Sequence, residues 1–262
     1  MAALLASAVA GVLVGASLAE PYGLAAGVVL VQVLLLVGVV RTADVPAGRA
    51  SAAVAFLAGL SSVAVVTITA EGSFDLDALL PLLVAFGVGF VAMVLVQLLR
   101  RDDRDRLTGS LTLGVTALLL SVATAGWLGL GDSDTAGALL LLALAGTAIG
   151  AAMMIFPGPS WLWVIGGTIA AGSVGLIMQA YAAPVDDADL GPVVALVVAG
   201  VCGFAAAVGV RAARLLRDER QIDVALAPPH MDHLLVVATL PVVVAAPVAV
   251  GAAWAVAEGL LA

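Results

Sequence analysis

Apolar residues in this chain come in long blocks separated by short polar stretches, with no sustained alternation of apolar and polar positions. The blocks fall at roughly 3–19, 24–40, 50–70, 78–99, 107–130, 138–156, 161–182, 192–216 and 234–257. Each is close to the ~20 residues an α-helix needs to cross the hydrocarbon of a bilayer. Runs of this length without a period of two predict helices rather than the strands of a membrane barrel. Pro81 and Pro192 stand near the starts of the fourth and eighth blocks, where a missing backbone donor costs little. Pro241 and Pro247 stand inside the ninth, which predicts a bend or a break there. The first block ends in Ser17-Leu18-Ala19, the small-x-small form of a cleavage site, but Met1 to Leu5 carries no positive charge, so the block is expected to stay as a membrane helix.

Composition agrees with the block pattern. Hydrophobic residues make up 63% of the chain and charged residues 11%, with a mean hydropathy of +1.22. A globular domain carries about 25% charged residues, so a chain of this kind has lipid as its solvent. Lys is absent, all ten basic residues are Arg, and the net charge is −8. The lone Cys202 sits within an apolar block, which excludes an intrachain disulfide and reads as packing.

The charges then give a direction. Arg41 and Arg49 flank the second connection, Arg100, Arg101, Arg104 and Arg106 follow the fourth block, and Arg211, Arg214, Arg217 and Arg220 close the eighth. The connections after the first, third, fifth and seventh blocks carry acids alone: Glu20; Glu71, Asp75 and Asp77; Asp132 and Asp134; Asp186, Asp187 and Asp189. Nine crossings put every Arg on one side. The bias of Arg toward the cytoplasm then predicts a plasma-membrane protein with its N-terminus inside and its C-terminus outside.

An internal correspondence suggests the architecture. Gly89 to Arg106 aligns with Gly203 to Arg220, sharing Gly89/Gly203, Phe90/Phe204, Ala92/Ala206, Val94/Val208, Val96/Val210, Arg100/Arg214 and Arg106/Arg220. The expected fold is an all-α polytopic bundle of two parallel four-helix repeats, 1–106 and 107–220. A connection and a ninth, Pro-containing helix at 221–262 complete it. Such paired repeats tend to bind ligands between their halves. Gly87 and Gly89, Gly146 and Gly150, Gly166 and Gly167, and Gly172 and Gly175 offer small-residue seams where helices can approach closely.

Candidate chemistry is sparse. No Asp, Glu, His or Arg lies deep in a block, which speaks against proton-coupled carriers. Gln32, Gln97 and Gln179 remain, with Thr67, Thr69, Thr116, Ser121, Thr124 and Thr168. These form either a polar solute path or interhelical hydrogen bonds, and the second is favoured. His230-Met231-Asp232-His233 supplies three ligands at most, two His and an Asp, and falls short of a closed metal site, so no metal or cofactor is expected. No phosphate loop or nucleophile elbow is present, and an acidic chain without aromatics beside its Arg does not suit nucleic acid.

Nine helices as four plus four plus one, with the N-terminus inside, is similar to the intramembrane prenyltransferases. Arg41-Thr-Ala-Asp-Val-Pro-Ala-Gly-Arg49 resembles the end of that family's first Asp-rich motif. The resemblance implies several Asp holding Mg²⁺ and a diphosphate. Here Asp44 stands alone, and the matching connection, Pro157-Gly-Pro-Ser160, has no acid. One carboxylate does not hold such a complex, so the similarity is one of topology. Three readings follow. The first is a non-catalytic membrane subunit or scaffold; it would meet membrane lipids and a membrane or cytoplasmic protein partner through Arg100, Arg101, Arg104, Arg106, Arg211, Arg214, Arg217 and Arg220. The second is a permease for a neutral or lipidic substrate, and the third a degenerate prenyltransferase-like enzyme.

Overall fold

The computed structural model describes residues 2–17, 21–42, 48–69, 80–99, 107–130, 134–156, 159–181, 190–221 and 231–260. Among them there are helices and turns and no strand. The helices are α1 (Ala2–Ser17), α2 (Pro21–Thr42), α3 (Gly48–Thr69), α4 (Leu80–Leu98), α5 (Leu107–Thr124), α6 (Gly126–Gly129), α7 (Asp134–Met153), α8 (Ser160–Tyr181), α9 (Pro192–Gln221) and α10 (Met231–Ala257). Seven are long and apolar enough to cross a membrane: α2, α3, α4, α5 with α6, α8, α9 over Pro192–Ala213, and α10. The apolar stretches of α1 and α7, Leu4–Ser17 and Gly137–Met153, are shorter. The chain has the build of a multi-pass membrane protein.

Contacts fix the helix directions. Gly146 and Gly150 of α7 face Ala199 and Gly203 of α9 in the same order, so these two run parallel. Between them α8 runs the opposite way, with Gly167 against Gly150 and Gly175 against Ala195. Gln97, near the end of α4, bonds to Ser51 and Ser110, near the starts of α3 and α5, so α3 and α5 run parallel with α4 opposed. Gly38 near the end of α2 meets Val236 near the start of α10, and Gly209 of α9 meets Pro241. At the same end Ala6 of α1 joins a cluster with Ala151, Met154, Val164 and Val210.

One end of the bundle therefore gathers the starts of α1, α3, α5, α8 and α10 and the ends of α2, α4, α7 and α9. Arg41, Arg49 and Arg211 are exposed at this basic end. Tyr22 and Tyr181 are exposed at the other, where amphipathic rings favour the membrane interface. At 1.5 Å per residue, Tyr22 and Arg41 on α2 stand about 28 Å apart, close to the thickness of bilayer hydrocarbon.

Small residues set the closest seams, because lipid removes the hydrophobic drive between helices and leaves van der Waals contact to hold them. A Cβ on Gly146 would strike the Ala199 carbonyl, one on Gly150 the Gly203 carbonyl, and one on Gly175 the Ala195 carbonyl. These backbone contacts weld α7, α8 and α9 together. On the other side α3, α4 and α5 close over Met93 and Leu118 beneath Gly89 and Gly114. Helices α1, α2 and α10 lie between the two triplets and share the largest buried cluster with α7 and α9; it includes Leu13, Val28, Leu35, Leu142, Val198 and Val242. Of the predicted seam residues, Gly87 faces open space and Gly166 is loosely packed.

The structure departs from the block pattern in two places. The fifth block is not one helix: the chain breaks at Ala125, and the single turn α6 turns Trp127 into the core, fully buried. The ninth block neither ends nor restarts at its prolines, since α10 continues through Pro241 and Pro247. The backbone acceptors that these prolines leave open belong to Val237 and Val243. A helix clasped by neighbours on several sides tolerates such gaps, and Gly38, Gly126 and Gly209 bring three of those neighbours against Val236, Val250 and Pro241.

Candidate functional site

Two buried polar nodes lie in the α2–α5 half. At the basic end the Gln97 amide Nε2 donates to Ser51 Oγ at 2.9 Å, while Ser110 Oγ donates to Gln97 Oε1 at 3.0 Å. Three helices are thus tied by one side chain whose donor and acceptor are both in use. Deeper in the bundle, Gln32 of α2 donates from Nε2 to the Ser121 carbonyl of α5 at 2.9 Å. Gly59 of α3 completes this node, since a Cβ there would collide with Ser121 Oγ. Gln32 Oε1 and Ser121 Oγ are buried and have no hydrogen-bond partner.

The structure does not bring the three glutamines together. Gln32 and Gln97 share the α2–α5 half at different depths, separated by Met93 and Leu118, both fully buried. Gln179 is partly buried on α8, close to Tyr181 at the opposite end and in the other helix group.

The hydroxyls mostly serve their own helices. Thr67 bonds to the Val63 carbonyl, Thr69 to Val65, Thr124 to Leu120, Thr147 to Ala143, Thr168 to Val164 and Thr239 to Leu235. Back-bonding to the preceding turn satisfies a hydroxyl where no water is present. Ser7 reaches across instead, donating to the Ala148 carbonyl at 3.0 Å and tying α1 to α7. The buried polar side chains among the described residues are Gln, Ser and Thr.

Of the Arg clusters, Arg100, Arg101, Arg104 and Arg106 lie outside the described residues. Their flanks do not: Leu98 closes α4 and Leu107 opens α5, both at the basic end. Arg211 is exposed on α9, and the backbone of α9 carries Arg214, Arg217 and Arg220 some two turns past its apolar span at that same end. His230 and Asp44 lie outside the described residues, and among those described no group of three His, Cys, Asp or Glu stands close enough to hold a metal ion.

Sequence reasoning missed Trp127. The break that inserts it has a faint local mark in Gly126 and Gly129, but a single indole in an apolar block gives no sign of its partner. Its Nε1 donates to the Val242 carbonyl at 3.2 Å. No family model, curated protein or solved structure matches the chain.

Proposed function

We propose that this protein is a non-catalytic, membrane-embedded subunit or scaffold of the plasma membrane whose Arg-bearing end is its contact surface. The observation that carries this reading is how its polar side chains are used. Gln97 bonds to two serines, most buried hydroxyls bond within their own helix, and α7, α8 and α9 meet backbone to backbone. Such an interior favours rigidity, and among the described residues it buries no Asp, Glu, His or Arg with which to move a proton. The topology that belongs to this reading is nine crossings with the N-terminus in the cytoplasm. The short helices α1 and α7 count among the nine because they alternate in direction with their neighbours. The parallel four-helix repeat rests on the Gly89–Arg106 and Gly203–Arg220 correspondence; α4 packs on α3 and α5, whereas α9 packs on α7, α8 and α10.

The test replaces Arg100, Arg101, Arg104 and Arg106 with Gln and isolates wild type and variant from native membranes. The reading expects a stoichiometric protein partner with the wild type, lost from a variant that still inserts in the right orientation. A wild type that always isolates alone contradicts it.

A second reading, a permease for a neutral or lipidic substrate, is favoured by the unpartnered Gln32 Oε1 and Ser121 Oγ. Uptake of neutral solutes or lipid scrambling by the purified protein in vesicles, abolished by Gln32→Leu, would support it over the scaffold.

A further inference from the structure

We propose that Arg41, Arg49 and Arg211 hold the headgroups of anionic phospholipids whose acyl chains lie along the outward faces of α2, α3 and α9. The proposal deepens the contact-surface reading above and rests on it for the membrane setting. Each Arg is exposed, and each stands at the basic end of an outward apolar stripe on its own helix. On α9 the stripe is Val193, Leu196, Val201, Phe204 and Val208, followed on the same face by Arg211. On α2, Tyr22, Leu30 and Val33 lead to Arg41; on α3, Arg49 leads to Leu57, Leu60 and Ile68.

The spacings keep each set on one side of its helix, since residues three, four, seven and eleven apart share a face. From Val193 to Val208 the stripe is about 22 Å long at 1.5 Å per residue, the reach of an extended acyl chain. A charge at the end of such a stripe has the shape of an amphiphile turned inside out. The apolar length faces the chain, and the guanidinium, a planar fork that binds phosphate oxygens in pairs, faces the headgroup. Arg stems also keep their charge at the interface when the Cα lies deeper, and Arg211 falls inside the apolar span Pro192–Ala213. A protein partner suits this pattern less well, because the three Arg lie on three different helices, each continuous with its own lipid-facing stripe.

The test uses the purified full-length chain in bilayers of mixed phosphatidylcholine and phosphatidylglycerol, with the lipids retained after partial delipidation counted by mass spectrometry. Wild type is expected to retain phosphatidylglycerol in preference. The triple variant R41Q/R49Q/R211Q is expected to lose that preference, by about five-fold for each Arg removed, the weight of one basic residue at an anionic leaflet. The exposed single variant R211Q serves if the triple variant does not accumulate, and it is expected to lose part of the preference. Retention of the two lipids in bilayer proportion by wild type, or an unchanged preference in R211Q and the triple variant, overturns the proposal. Displacement of phosphatidylglycerol by inorganic phosphate also overturns it, because a bare anion site needs no acyl stripe. The contact-surface reading fails separately, through the partner and the 100–106 segment, so either can fall while the other stands.

Discussion

Trp127 Nε1 donates to the carbonyl of Val242 across 3.2 Å, joining the single turn α6 to the stretch of α10 between its two prolines. The indole is fully buried, and Val242 is too. This bond ties the place where the fifth block breaks to the place where the ninth is weakest in backbone hydrogen bonds. Replacing Trp127 with Phe keeps most of the volume and removes the donor. The expected cost is about 1 kcal/mol, typical of an interhelical bond in a membrane. Replacing it with Ala leaves a cavity and is expected to cost about 3–5 kcal/mol. Thermal unfolding in detergent would rank them, wild type above Phe and Phe well above Ala; equal losses would show that the hydrogen bond, not the packing, carries the effect.

The seam glycines should divide sharply by environment. Gly146→Leu and Gly150→Leu place side chains into the backbone of α9. Neither helix can yield without losing the contacts that hold α7, α8 and α9 together, so both variants are expected to accumulate poorly and elute as aggregates. Gly11→Leu and Gly87→Leu project into open space and are expected to behave like wild type. Fluorescence-detected gel filtration of the four variants reads the difference directly.

The two glutamines should also differ. Gln97→Leu removes the side chain that links Ser51 and Ser110 across three helices and is expected to destabilise by about 1–2 kcal/mol. Gln32→Leu removes one bond but also removes an unpartnered buried oxygen. Its cost is expected to be smaller, near zero, because deleting an unsatisfied polar atom relieves a desolvation penalty. Unfolding of both variants under one denaturant series tests the order; a larger loss at Gln32 would show that Gln32 Oε1 has a partner in the membrane.

The all-helical build was readable because lipid forces backbone groups to pair within a segment, although the break at Ala125 within the fifth block was not. The polarity of Arg41, Arg49 and Arg211 was readable too, since charge stays out of hydrocarbon wherever the chain turns. Seam partners were not. Gly occurs at 29 positions, and Gly87, which faces open space, looks no different in sequence from Gly146, which meets a carbonyl. The joining of Ser51, Gln97 and Ser110 was equally hidden, because it depends on the parallel register of α3 and α5 and not on any local spacing. The continuity of α10 through Pro241 and Pro247 reflects neighbours at Gly38, Gly126 and Gly209 that lie far away in sequence.

The side of the membrane that the basic end faces decides whether Arg41, Arg49 and Arg211 meet the cytoplasm. The direct measurement is labelling of single cysteines by a membrane-impermeant thiol reagent in intact cells, in a background with buried Cys202 replaced by Ala. Thr135 is exposed near the start of α7, at the end opposite the Arg residues, and Thr108 is exposed at the start of α5, at the basic end. Thr135→Cys should label in intact cells and Thr108→Cys only after the membrane is opened. Labelling of Thr108→Cys from outside, with Thr135→Cys protected, would place the Arg residues outside and contradict the account.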